Sequence, residues 1–110
     1  MLQFDEYKVK LNNLRPQLDE LEKALNLDST AQEVDFLEAE SASDGFWDNP
    51  EKSQRVLQKL KQLKSKLESQ AKRRSSWEDM MVLCEMGNEE EDDSLVPEVE
   101  TGFARLEAEM

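Results

Sequence analysis

Histidine is absent from this sequence, so a His-dependent zinc site and a Ser-His-Asp type of triad lack their parts. A single cysteine, Cys84, excludes an internal disulfide framework. Only three Gly and three Pro punctuate 110 residues, and aromatic residues make up 6%. A sheet needs β-branched and aromatic runs broken by turn residues, and neither the runs nor the breaks are here. No stretch approaches the roughly 20 consecutive apolar residues that span a bilayer. The opening Met1-Leu2-Gln3-Phe4-Asp5-Glu6 has neither the basic region nor the apolar segment of a signal peptide. A cytoplasmic location is therefore expected.

What remains is Leu, Glu, Lys, Gln and Ala, the strong helix formers. The length suits one domain, residues 1–110, with one core. Charged residues reach 36% and the net charge is −12, unevenly spread. Residues 1–50 carry 4 basic and 12 acidic side chains; residues 51–74 carry 9 and 2; residues 75–110 carry 1 and 12. So strongly acidic a chain is repelled by phosphate backbones, which argues against nucleic-acid binding by the domain as a whole. A basic segment between two acidic ones predicts instead that the helices attract one another, or a partner of mixed charge.

The periodicity predicts an all-α fold, an elongated antiparallel bundle of three to four helices with one long central helix. Phe4, Tyr7, Leu11, Leu14, Leu18, Leu21 and Leu25 recur at spacings of three and four, one stripe of a helix over residues 2–25. Pro16 kinks this helix or divides it, and the unbroken leucine register favours a kink. A short second helix is expected to start at a Thr30 cap with Glu33 three residues on, Ser29 competing as cap. Val34 and Leu37 mark its inner face, and Ser41–Gly45 ends it. Asn49 as cap, Pro50 at the first helical position and Glu51 in the first turn predict a sharp third start. From there Val56, Leu60, Leu63, Leu67, Gln70, Arg74, Trp77, Met81 and Cys84 hold one frame up to Gly87-Asn88, the expected end. After the acidic run Glu89–Asp93, a helix capped by Ser94 follows, with Val96, Val99, Phe103, Leu106 and Met110 inward. That last stripe runs to Met110, the pattern of a longer chain cut in mid-helix.

Candidate sites are few. Phe46-Trp47, beside Asn49 and Pro50, is expected to plug the helix junction structurally; for a buried Trp47, truncation to Ala costs about 3–5 kcal/mol. Lys59, Lys61, Lys64 and Lys66 are candidate partner contacts, although on a helix they spread around the polar side and otherwise form a solvated face. The acids 89–93 lack the alternating ligands, central Gly and closing Glu of a calcium loop. Cys84 sits on the apolar stripe and reads as a small buried hydrophobe. No catalytic residue, cofactor site or metal site is assigned.

One segment is more specific. Ala24-Leu25-Asn26-Leu27-Asp28-Ser29, Val34-Asp35-Phe36-Leu37-Glu38-Ala39-Glu40 and Gly45-Phe46-Trp47-Asp48-Asn49-Pro50-Glu51-Lys52-Ser53-Gln54-Arg55-Val56 resemble the opening of the bacterial peptide chain release factor 2 family of class I release factors. In that family a leucine-rich helix leads through an L-D-L-like turn to a short helix, then to P-D-F-W-x-(D/N) and a long helix. Here Asp44-Gly45 stands where the family has Pro-Asp, and Ser41 replaces a hydrophobic residue. The Gly-Gly-Gln and Ser-Pro-Phe motifs of the family do not occur in these residues, so no catalytic or codon-reading role carries over to any position. The resemblance implies a translation termination factor that, at full length, reads UGA and UAA and triggers peptidyl-tRNA hydrolysis. The part seen here would dock on the ribosome at the stalk base of the large subunit, with a class II release factor as a further partner. A stand-alone coiled-coil adaptor or scaffold fits the heptads equally well, and an apolar face left open would let the chain form a homodimer.

Overall fold

The computed structural model describes all 110 residues and contains four α-helices and no strand. Helix α1 spans Leu2–Leu25, α2 Leu27–Ser41, α3 Pro50–Glu90 and α4 Val96–Glu109. Short 3-10 turns at Phe46–Asp48 and Asp93–Leu95 precede α3 and α4. No helix is long and apolar enough to cross a membrane. The chain divides into two compact units, Met1–Leu21 with Ala71–Met110, and Glu22–Gln70. Buried side chains accordingly gather in two clusters rather than the single core expected.

In the first unit α1 and α3 run antiparallel, because partners descend along α3 as α1 advances. The Phe4 ring lies against Gly87, the Leu11 carbonyl meets Trp77, and Asp19 meets Arg74. Phe4, Leu11 and Leu18 are fully buried with Cys84, and α4 adds Val99, Phe103 and Leu106 to the same cluster. Each such side chain contributes roughly 1.5–3 kcal/mol by leaving water. Tyr7 meets Phe103 edge-to-face, with centroids 5.5 Å apart. The predicted stripes of three helices therefore converge here.

Pro16 lies inside α1 without dividing it. A proline removes the amide that would bond to the Asn12 carbonyl, yet Leu14 and Leu18 remain in register and buried beyond it. One residue earlier, the Leu11 carbonyl accepts from the Trp77 indole Nε1 at 2.6 Å. This bond across the interface ties α1 to α3 next to its weakened turn.

In the second unit Val34 and Leu37 of α2 pack on Leu60 and Leu63 of α3, with Val56 and Leu67 half-buried beside them. Helix α2 starts at Leu27, three residues before the expected cap. Asn26 takes a left-handed conformation (φ 47°), which Asn tolerates better than most residues. The Thr30 hydroxyl donates to the Leu25 carbonyl at 2.9 Å, so it satisfies an orphan acceptor at the end of α1 rather than an orphan donor of α2. Ser29 likewise donates to the Asn26 carbonyl. Ser41 does end α2, and Gly45 in the loop after it takes a positive φ (78°).

Two other boundaries differ from expectation. Helix α3 passes through Gly87-Asn88 and stops at Glu90. Glu91 adopts φ 52°, and the Asp92 amide reaches back to the Gly87 carbonyl at 3.1 Å, the six-to-one bond of a Schellman end. Gly87 is needed for space, since a Cβ there would overlap the Phe4 ring. Asn88 keeps helical geometry while its amide donates to Asp5 at 2.9 Å and its oxygen accepts from the Met1 ammonium. Before α4 the capping acceptor is Asp92, not Ser94: its carboxylate accepts from the Ser94 amide at 3.0 Å and from the Ser94 hydroxyl. These bonds hold the Asp92 carboxyl below its usual range.

Gly87→Ala is expected to destabilise by about 1–3 kcal/mol through overpacking against Phe4, although Ala outranks Gly in helix propensity by about 1 kcal/mol. Urea unfolding checks the sign, and Phe4→Leu in the same chain should recover part of the loss. Trp77→Phe should cost about 0.5–1.5 kcal/mol, because the Leu11 carbonyl loses the indole hydrogen bond that crosses from α3.

Candidate docking surfaces

The Phe46–Lys52 segment is built on hydrogen bonds. Asn49 caps α3 as expected, its Oδ1 accepting from the Lys52 amide at 3.2 Å, and Pro50 is the first helical residue. Ser53, only 1% exposed, lies where its hydroxyl can donate to the Phe46 carbonyl or to the Asn49 carbonyl. This serine fixes the turn on the helix, and it went unnoticed in the sequence because one serine among polar neighbours carries no periodic signal.

The aromatic pair is placed differently from expectation. Phe46 is half-buried, but Trp47 is 68% exposed. The rings meet edge-to-face at 5.0 Å, and Trp47 borders a groove of ≈ 320 Å³ with Pro50, Glu51, Gln54 and Leu57. The tight 3-10 turn after Gly45 leaves room inward for only one of the two adjacent side chains. An adjoining groove of ≈ 430 Å³ is lined by Leu57, Leu60, Lys61, Lys64, Ser65 and Glu68.

All four candidate lysines are exposed on α3, but they do not share a face. Lys59 and Lys66 lie two turns apart on one side. Lys61 and Lys64 stand together on another, roughly 140–200° around the helix from Lys59, at the second groove. Lys64 is already engaged, with Nζ 2.7 Å from Glu38 of α2. Lys52 pairs with Glu40 at 3.5 Å, and Arg74 with Asp19 at 2.6 Å. The attraction between a basic α3 and the acidic α1 and α2 is thus realised in ion pairs such as these, each on the scale of about 0–1 kcal/mol at such exposure.

Cys84 is fully buried in the first unit's cluster. Burial pushes its thiol pKa up; Lys8 opposes this, while Glu85 and Asp5 add to it. The stability gained by keeping the thiol neutral is fully present below its ordinary value of 9.0 and is lost as pH rises through the raised value. No group of three or more Cys, Asp or Glu side chains is arranged to hold a metal ion.

Trp47→Ala should change stability by no more than about 0.5 kcal/mol, as an exposed substitution does, and Ser53→Ala should cost about 1–3 kcal/mol. Chemical denaturation of the two variants tests the ranking directly. Disulfide-reagent labelling of Cys84 at pH 8 should run at least about tenfold slower in the folded chain than in urea.

No protein-family model and no solved structure matches the chain. Curated proteins do. It is 30% identical over 92 residues to a Streptomyces avermitilis protein named peptide chain release factor 2, covering 84% of this chain and 25% of that one. A Corynebacterium glutamicum protein of the same name is 30% identical over 100 residues, 91% of this chain and 27% of its own. One from Lactiplantibacillus plantarum is 28% identical over 109 residues, 99% and 29%. The chain spans about a quarter of the length of these relatives. Over nearly all its residues, and with the helical build just described, it resembles the N-terminal domain of peptide chain release factor 2.

Proposed function

We propose that this chain is a helical docking module of a translation termination factor, placing helix faces against the ribosome. The observation that carries this is the match along 84–99% of the chain to proteins named peptide chain release factor 2. Composition supports the same reading: there is no histidine, the lone thiol is buried and no cluster of ligands converges. A bundle of amphipathic helices can hold and present a surface to a partner.

In this reading the whole protein recognises UGA and UAA and releases the peptide with residues outside these 110, while this part sets its position at the stalk base and toward a class II release factor. The work takes place where ribosomes are, in the cytoplasm. The Lys61–Lys64 side of α3, with Trp47 and Leu57 along the same flank, offers apolar anchors next to cations, as a protein contact needs.

Co-sedimentation with ribosomes tests the proposal. The chain is expected to pellet with them and to be displaced by full-length Corynebacterium glutamicum release factor 2. Failure to pellet, or pelleting indifferent to that competitor, overturns it. Added alone to ribosomes stalled at UGA, the chain is expected to release no peptide.

A further inference from the structure

Arg55, Lys59, Gln62, Lys66 and Ser69 recur on α3 at spacings of four and three, all exposed. That spacing holds them on one face of the helix. These five positions carry three cations and two neutral polar side chains and no apolar group, and the one carboxylate that borders them is Glu51, four residues before Arg55 at the N-terminal end of the face. The carboxylates of residues 51–74 are Glu51, in the first turn, and Glu68, on the opposite groove. Lys52, Lys64 and Arg74 of α3 stand in ion pairs with α1 and α2, whereas Arg55, Lys59 and Lys66 are exposed and take part in none of those pairs. They span eleven residues, roughly 16 Å of helix.

We infer that the Arg55–Lys59–Lys66 face of α3 seats an RNA phosphate backbone. A protein partner draws its binding from apolar and aromatic anchors surrounded by a polar rim, and this face offers none; Trp47 and Leu57 lie on the other side. A phosphodiester chain asks only for cations and hydrogen-bond donors in a row. Arg55 supplies a planar fork, the lysines supply point charges, and Gln62 and Ser69 supply neutral donors. The net charge of −12 repels RNA at long range, but fields decay within about 8 Å at physiological salt. At contact the phosphates meet the local row of cations. Binding is therefore weak, insensitive to sequence and steeply dependent on salt. This deepens the docking function proposed above by naming a face and the chemistry it meets.

The test is fluorescence anisotropy of a labelled RNA stem-loop titrated with the whole chain at about 50 and 200 mM monovalent salt. The wild type is expected to bind at the lower salt and to weaken steeply at the higher. R55Q/K59Q/K66Q should weaken binding at least tenfold and flatten the salt dependence by about two to three log–log units. K23Q/K72Q/R105Q removes the same charge from exposed positions elsewhere on the chain and should weaken binding less than threefold. Circular dichroism melting confirms that both variants fold, as substitutions at exposed positions should. Equal losses in the two variants, no wild-type binding at the lower salt, or tighter stripe-dependent binding of polyglutamate than of RNA would each overturn the assignment. If the stripe variant still pellets normally with ribosomes, this face is wrong and the docking function stands. If RNA binding follows the stripe but the chain does not pellet, the docking function is wrong and the face stands.

Discussion

Helix α3 cannot stand by itself. Its 41 residues include nine basic side chains between positions 51 and 74 and an inward polar residue, Gln70, and helices in water owe most of their stability to burial of one face rather than to propensity. Its apolar stripe must be covered along its length. The rest of the molecule answers that demand: Phe4, Leu11 and Leu18 of α1 with Val99, Phe103 and Leu106 of α4 meet Trp77 and Cys84, while Val34 and Leu37 of α2 meet Leu60 and Leu63. In each unit, then, a stripe on α3 is matched to a stripe of the same three-four period on a helix running the other way.

Charge follows the same arrangement. Acidic α1 and α2 lie beside the basic part of α3, and the ion pairs formed join Glu38, Glu40 and Asp19 to it. At their exposure these pairs add little free energy, and their effect is on register, since like charges facing each other would oppose the pairing. Arg55, Lys59 and Lys66 lie exposed outside these pairs, while Lys61 and Lys64 line a groove that includes Leu57. One helix thereby presents two chemically different sides, one apolar and basic, the other basic and polar.

The helices, their inward stripes and the Asn49-Pro50 start of α3 were legible in the sequence, because period and capping chemistry are local. Pro16 did not mislead, since the leucine register continues across it. The misplaced boundaries share a cause. Gly87 looked like a helix end because glycine is rare inside helices, yet it is there to admit the Phe4 ring from α1. Thr30 looked like a cap because of the Glu33 that follows, yet its hydroxyl serves the end of α1. Trp47 looked buried because aromatics usually are, and the turn that exposes it is set by Gly45 and by Ser53 several residues away.

The sequence by itself determined the helical class, the faces that must be hidden and the absence of histidine and paired-cysteine chemistry, since each depends only on residue type and spacing along one chain. Tertiary structure alone decided which cations of α3 are neutralised by neighbouring helices, which aromatic of the Phe46-Trp47 pair meets solvent, and where α3 stops. Those outcomes depend on which atoms approach from residues distant in the chain, such as Phe4 on Gly87 or Glu38 on Lys64, and spacing along one helix holds no record of what lies opposite it.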